Sequence, residues 1–214
     1  MTEAVASLCR FAAAAAVGDA TAARRAARAA RRAHVPRRAT EEVALMLVLY
    51  AGFPAALEAL RALGAAWPGA AHATREGSQR LWTRRGERLA RRVYGPVLPR
   101  LLQAVRALHP DLATWMIEHG YGRVLARPGL TARVRELVTV SALAATGWRR
   151  QLVSHLLGAR RLGAAPGDIR AALAHGSRVA GPAARGAARG AWAEAFPATT
   201  ALARTRAGTR TRSG

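Results

Sequence analysis

The chain has 214 residues, enough for one or two domains with a core of ordinary size. Alanine accounts for 54 of them, while β-branched and aromatic residues are sparse, which excludes a β-sandwich or β-barrel and predicts an all-α fold. Arginine supplies all 34 basic residues against 12 acidic ones, a formal net charge of +22. This surplus would attract nucleic acid, an anionic membrane or small polyanions; a solvated surface shaped by coding bias is the competing interpretation.

The first half of the chain predicts a series of helices. Segments 4–17 and 20–34 are both helical in composition and are separated by a Gly-Asp turn. A helix begins at Thr40, which two glutamates follow, and ends at about Tyr50. A Gly-Phe-Pro break then leads into a helix that ends at about residue 64. Residues 65–86, rich in Gly, Arg and Trp, are interpreted as a connector that is helical in part.

The second half predicts further helices over 98–108, 110–119, 132–146 and 149–162, with a shorter one from Pro166. Glycine and proline punctuate residues 120–130, which we expect to form a loop. After about residue 193 the chain becomes rich in Thr, Arg and Gly and is expected to be a disordered tail.

The numbers and spacing of cysteine and histidine, and the length of the apolar runs, exclude several classes of function. A single cysteine, Cys9, excludes an internal disulfide and a CxxC pair, and we expect a buried, inert thiol there. The six histidines show no HxH or HxxxH spacing, so we predict no metal site. The longest apolar run, residues 43–57, is too short to span a bilayer. The N-terminal segment up to His34 is interpreted as mature protein, and we expect the protein to be cytoplasmic.

An internal repeat appears when the second half of the sequence is laid on the first with Gly147 on Gly18. Ala30-Arg31-Arg32 then meets Ala159-Arg160-Arg161. After a small length difference, Glu42-Val43 falls beside Asp168-Ile169, and the Gly-Phe-Pro-Ala-Ala run meets Gly-Pro-Ala-Ala. The shared turn and the arginine pair predict a duplicated helical unit.

A candidate acid/base site lies around the turn at Gly147. Glu136 and His155 would stand about 16 and 12 Å from that turn along two antiparallel helices, so a hairpin brings them within reach of each other. Trp148, Gln151 and His155 are spaced to share one helix face. A glutamate, a histidine and an amide beneath an indole are typical of an acid/base pocket. The alternative is structural: Glu136 would form a salt bridge with Arg149 or Arg150.

This segment resembles the carboxymuconolactone decarboxylase family, which includes the AhpD-like alkylhydroperoxidases. The matching text runs from Tyr121-Gly-Arg-Val-Leu-Ala-Arg-Pro-Gly-Leu through Arg135-Glu-Leu-Val-Thr-Val to Gln151-Leu-Val-Ser-His155 and Gly163-Ala-Ala-Pro-Gly-Asp-Ile. In the first half, Leu49-Tyr-Ala-Gly-Phe-Pro-Ala-Ala-Leu resembles the segment that closes such a domain. The resemblance implies tandem AhpD-like helical units: a degenerate unit over 1–66, a connector over 67–94, a second unit over 95–193 and the tail over 194–214.

The sequence departs from the redox-active members of that family. Those members carry a glutamate, then a CxxC cysteine pair, then a histidine. When their glutamate is laid on Glu136 and their histidine on His155, the two cysteine positions fall on Trp148 and Gln151. A CxxC peroxidase cycle, which needs two thiols, is therefore not expected. The first unit has Ser7 and Ala26 in place of the glutamate and the histidine and is expected to be catalytically empty.

The resemblance implies a cofactor-free decarboxylase that acts on a small anionic lactone or related aromatic catabolite. His155 would donate the proton and Glu136 would orient it, while Arg135, Arg149 or Arg150 would hold a carboxylate, with Trp148 and Gln151 beside it. The family also implies a homo-oligomer. Two alternatives stay open: a non-catalytic oligomerisation or binding module, and a sequence-independent nucleic-acid binder that uses the arginines of residues 24–32.

Overall fold

The computed structural model describes residues 1–74 and 77–197, and these residues form helices without any strand. The α-helices are α1 (Glu3–Ala16), α2 (Ala20–Arg32), α3 (Arg37–Tyr50), α4 (Gly52–Ala66), α5 (Gln79–Tyr94), α6 (Leu98–Leu108), α7 (Pro110–Trp115), α8 (Ala132–Thr146), α9 (Arg149–Arg161), α10 (Pro166–Val179) and α11 (Pro182–Ala195). The prediction of an all-α fold is confirmed. Most of the predicted tail lies outside the described residues.

Side-chain caps and glycine turns set several helix ends. The Asp19 carboxylate accepts the Ala22 backbone N–H at 2.8 Å and starts α2, and the Thr131 hydroxyl accepts the Val134 N–H at the start of α8. Gly147 ends α8 with φ of 84°, a left-handed conformation that glycine adopts without strain. These signals fix the α1–α2 and α8–α9 turns.

Helices α1 and α8 cross at the centre of the fold. Each packs on the other, and α1 also packs on α2, α3, α4 and α10, while α8 also packs on α3, α9, α10 and α11. Where they meet, the Ser141 hydroxyl donates to the Cys9 carbonyl oxygen at 2.9 Å. Burial raises the pKa of the Cys9 thiol to about 12, so it is protonated at neutral pH, as expected of an inert core cysteine.

The helices of the two halves begin and end at corresponding positions when Gly147 is laid on Gly18. The offset that lays Gly147 on Gly18 also lays Arg149–Arg161 on Ala20–Arg32 and Pro166–Val179 on Arg37–Tyr50, end to end. The packing partners of α1 and α8 correspond in the same way.

Beyond shifts of a few residues at helix ends, four segments differ from the sequence prediction. The helix predicted to be short from Pro166 spans 14 residues as α10, and α11 was not predicted. The predicted connector contains α5, and the predicted loop over 120–130 begins within a π-helix, Met116–Leu125, that continues α7. These two elements pack so closely that a Cβ at Gly86 would lie 2.0 Å from the Ile117 carbonyl oxygen, and one at Gly122 would lie 2.0 Å from the Trp82 carbonyl oxygen. Glycine often indicates a loop in a sequence, but Gly86 and Gly122 allow the two helices to approach closely because they have no side chain.

Among the described residues, no helix is long and apolar enough to cross a membrane.

Candidate active site

The hairpin of α8 and α9 brings Glu136 and His155 together inside the protein. Glu136 Oε2 lies 2.9 Å from His155 Nδ1, and the two residues are only 3 % and 6 % exposed. An ionised carboxylate only accepts hydrogen bonds, so Nδ1 carries the proton of this bond. The exchangeable position of the imidazole is therefore Nε2, which accepts a proton when the ring is neutral and donates one when it is charged.

A glycine makes room for this carboxylate. Gly158 lies one turn after His155 on α9, and a Cβ there would stand 2.7 Å from Glu136 Oε2 and 2.8 Å from Val93 Cγ1. Both distances are shorter than real Cβ contacts, so any larger residue would displace the oxygen that bonds His155.

Tyr50, the last residue of α3, completes the side of the site next to the histidine. Its ring meets the His155 ring edge to face, with centroids 5.9 Å apart and planes at 87°. Thr139 Oγ1 donates to the Tyr50 hydroxyl oxygen at 3.0 Å, which leaves the phenol proton free for another acceptor. Burial, and the nearby Glu136 carboxylate, raise the pKa of Tyr50.

Two further tyrosines come from α5 and the π-helix. The Tyr121 hydroxyl donates to the Tyr94 hydroxyl at 2.8 Å, and the two rings lie edge to face with centroids 5.7 Å apart. Burial raises the pKa of Tyr94 to about 12 and that of Tyr121 well above its usual value, and the Glu136 charge adds to both shifts. All three tyrosines of the chain thus surround Glu136 and are protonated at neutral pH.

Arg135, predicted to hold a substrate carboxylate, is engaged by the protein itself. Its Nη2 donates to Glu42 Oε2 at 3.1 Å and to the Arg127 carbonyl oxygen at 2.7 Å, and Arg127 Nε donates to both Glu42 oxygens at 3.1 Å. Arg135 and Glu42 are almost fully buried. Burial lowers the pKa of Arg135, and the bond to Glu42 opposes that shift. Arg135 Nη1 is buried without a hydrogen-bond partner among the described residues, so one donor of the guanidinium is unused.

The other predicted binding residues lie away from the Glu136–His155 pair. Trp148 is 59 % exposed, Arg150 and Gln151 are also exposed, and Arg149 bonds the Glu194 carboxylate at 3.0 Å on the surface. The inward face of α9 consists instead of Leu152, His155, Leu156 and Ala159. Trp148, Gln151 and His155 share one face of α9, but only His155 is buried and the other two side chains are exposed to solvent.

Five residues of the site were not predicted as site residues: Glu42, Tyr50, Tyr94, Tyr121 and Thr139. A signal for the tyrosines was present, because the chain has only three and each lies in a helix. Glu42 was interpreted only as part of a helix start.

Three of the surface clefts, of about 340, 400 and 460 Å³, are lined by neither Glu136 nor His155. Across residues 1–74 and 77–197, no group of three or more His, Cys, Asp or Glu side chains converges.

Part of the chain matches a known protein family. Residues 110–194 match the model of the carboxymuconolactone decarboxylase family, a stretch that contains α7 to α10 and nearly all of α11. No curated protein matches the chain.

Proposed function

We propose that the chain is a cofactor-free decarboxylase of a small lactone carboxylic acid, because residues 110–194 match the carboxymuconolactone decarboxylase family. The observation that supports this proposal is the buried hydrogen bond between Glu136 and His155, with protonated phenols around the carboxylate. A carboxylate that fixes the tautomer of a histidine is a general way to prepare an acid or base.

In the proposed reaction the bond between the lactone and its carboxylate breaks and CO2 leaves. The electron pair moves into the conjugated lactone, whose carbonyl oxygen carries the negative charge. The charged imidazole of His155 then gives its Nε2 proton to carbon and regains one from water. Glu136 holds Nδ1–H throughout, so it orients the ring and stabilises its charged form.

The phenols and Arg135 supply the other interactions of the proposal. A phenol that stays protonated can donate to the developing oxyanion, and Tyr50 and Tyr94 each keep a proton that the hydrogen bonds described above do not use. Arg135 Nη1 is the unused donor for a substrate carboxylate. Trp148, Arg149, Arg150 and Gln151 would contact substrate only as it approaches, since they lie at the exposed end of α9.

The test is a decarboxylation assay with carboxymuconolactone, in which CO2 release and the loss of substrate are both followed. We expect His155→Gln and Glu136→Gln to lose activity by about 10²-fold or more, the usual effect of removing a general acid. The exposed His34→Gln is the control for a histidine change and should keep wild-type activity. Turnover that survives His155→Gln in a folded protein would refute the assigned site.

A second candidate, an oligomerisation module, is favoured by a different observation. Leu108 is 80 % exposed, Leu112 is 47 % exposed and Trp115 is 62 % exposed, and all three lie on α6 and α7. Exposed apolar residues grouped in this way are typical of a contact surface between copies. Light scattering should give a multimer mass for the wild type and a smaller mass for Trp115→Glu; a monomer in both would exclude this candidate.

A cytoplasmic location belongs to the same proposal, because the thiol of Cys9 has no disulfide partner in the chain. Cell fractionation with an antibody to the chain would test it.

A further inference from the structure

A basic cleft of about 340 Å³ opens between α1, α2 and α10, apart from the Glu136–His155 pair. Its floor consists of small apolar residues, namely Ala14, Ala22, Ala26, Ala29 and Val179. Its polar lining consists of Arg10, Arg25, Arg178 and His175. A cavity of this size, with an apolar floor and a few polar groups, has the dimensions of a small-molecule site.

The cleft occupies the position that corresponds to the Glu136–His155 site. In the alignment that lays Gly147 on Gly18, Ser7 and Ala26 stand where Glu136 and His155 stand, and Val179 stands where Tyr50 stands. The corresponding site is formed by α8, α9 and α3, just as the cleft is formed by α1, α2 and α10. Ser7, Ala26 and Val179 are smaller than Glu136, His155 and Tyr50, which leaves space at these three positions.

Two guanidinium groups of this cleft have no carboxylate partner in the part of the chain that the structure describes. Arg10 is paired with Glu3. Within residues 1–74 and 77–197, neither Arg25 nor Arg178 forms an ion pair with an acidic side chain. Arg178 instead donates from Nη1 to His175 Nδ1 at 3.0 Å. The cleft therefore has a cationic rim that the described part of the protein does not neutralise.

His175 adds a neutral donor to this rim. Burial lowers its pKa, and the charges of Arg10 and Arg178 lower it further, so the ring is neutral at pH 7. A guanidinium group cannot accept a hydrogen bond, so Nδ1 accepts and the ring proton sits on Nε2. Arginine side chains above a floor of methyl groups match a flat apolar body that carries a carboxylate.

We propose that this cleft is a second, non-catalytic binding site, and that its ligand is a small organic carboxylate with a flat apolar body. The site lacks the glutamate and histidine of the other half, so the ligand is bound there without being transformed. The inference does not depend on the proposed decarboxylase activity, because its evidence is the cleft and its charges.

The probe is benzoate, and its binding to the full chain is followed by calorimetry and by the NMR shifts of the arginine Nε–H groups. Benzamide has the same shape without the charge, and inorganic phosphate has the charge without the apolar body. We expect benzoate to bind one site per chain with a dissociation constant near or below about 1 mM, and both controls to bind at least about tenfold more weakly.

Variants locate the site. Arg178→Gln removes a cation and Ala29→Leu fills the cleft from a partly exposed position, and each should weaken benzoate binding about tenfold or more. Arg28→Gln, an equal charge change on α2 at a residue that does not line this cleft, should leave binding unchanged. His155→Gln should also leave it unchanged, which separates this site from the proposed decarboxylase site.

Three results would overturn the proposal. Benzoate that does not bind the wild type at about 20 mM would show that the cleft holds no carboxylate of this class. Phosphate that binds as tightly as benzoate would show simple anion binding without recognition of the apolar body. Benzoate binding that survives Ala29→Leu and is lost in His155→Gln would place the ligand at the other site.

Discussion

The contact between α5 and the π-helix makes a strong prediction about Gly86. A Cβ at this position would lie 2.0 Å from the Ile117 carbonyl oxygen, 2.9 Å from the Ile117 carbonyl carbon and 3.0 Å from the Gly122 backbone nitrogen. All three are backbone atoms, so no side chain can turn away to relieve the overlap. Gly86→Ala must therefore move one helix away from the other.

Gly86→Ala has two opposing effects on the free energy of unfolding: the overlap lowers it and the higher helix propensity of alanine raises it. Overpacking a tight contact costs about 1–3 kcal/mol and at times more, whereas Gly→Ala within a helix gains about 0.5–1 kcal/mol. Because the overlap is with rigid backbone, we place Gly86→Ala near the upper end of the first range. The expected net loss is about 2 kcal/mol of unfolding free energy.

Thermal and urea unfolding measure this loss, and the chain provides a matched control. Gly64 lies within α4, where an added Cβ would meet nothing within 4 Å, so Gly64→Ala should gain about 0.5–1 kcal/mol. For a chain of this length, about 1 kcal/mol corresponds to roughly 2–4 °C in Tm, so Gly86→Ala should melt about 4–8 °C below the wild type. Equal melting temperatures for the two variants would refute the close contact and the reasoning built on it.

The remaining predictions concern the ionisable groups and the site. Glu42→Gln should cost about 3–5 kcal/mol in urea unfolding because it leaves Arg135 buried without its counterion, whereas Glu87→Gln, on the surface, should be nearly neutral; equal effects would contradict a buried pair. Absorbance at about 295 nm should show no tyrosinate in the folded protein until about pH 12, since burial raises the pKa of Tyr94 to about 12 and those of the other two tyrosines as well. The unfolded chain ionises near pH 10, so its tyrosines lose protons that the folded state retains, and stability should fall as pH rises from 10 to 12; a folded protein that shows tyrosinate at pH 10 would contradict this. Gly158→Ala should lower decarboxylase activity while most of the protein stays folded, because the added Cβ displaces the Glu136 oxygen that orients His155. Unchanged activity would argue against an orienting role of Glu136. If the arginines of α2 bind duplex DNA, each phosphate contact should make the slope of log affinity against log salt more negative by about 0.9, and a salt-independent affinity would exclude this binding.

The sequence predicted much of the fold because its strongest signals are local. Glycine turns and side-chain caps predicted the α1–α2 and α8–α9 boundaries, and the spacing around Gly147 predicted that Glu136 and His155 meet. The helix α5 was missed in part because its many arginines make the segment strongly polar overall, and because Gly86 lies within it.

The rest of the site depends on contacts between distant parts of the chain. The Glu42–Arg135 pair joins residues 93 positions apart, and the Tyr50–Thr139 hydrogen bond joins residues 89 positions apart. No periodicity connects such positions. Arg149 and Arg150 were predicted to bind a substrate carboxylate only because of their charge and the family resemblance. Charge and resemblance do not show that both side chains are exposed.

The family match begins at Pro110, yet the site does not. Three residues of the candidate site precede the matched stretch. Tyr50 places its ring beside His155, Tyr94 places a phenol near Glu136, and Glu42 is the counterion of Arg135. The first part of the chain thus acts toward the second as a neighbouring subunit would act in a shared-site enzyme. Covalent linkage gives this partner a fixed, high effective concentration, so assembly of the site does not depend on dilution. We therefore expect changes in α3 and α5 to alter the chemistry proposed at Glu136 and His155, which lie outside both helices.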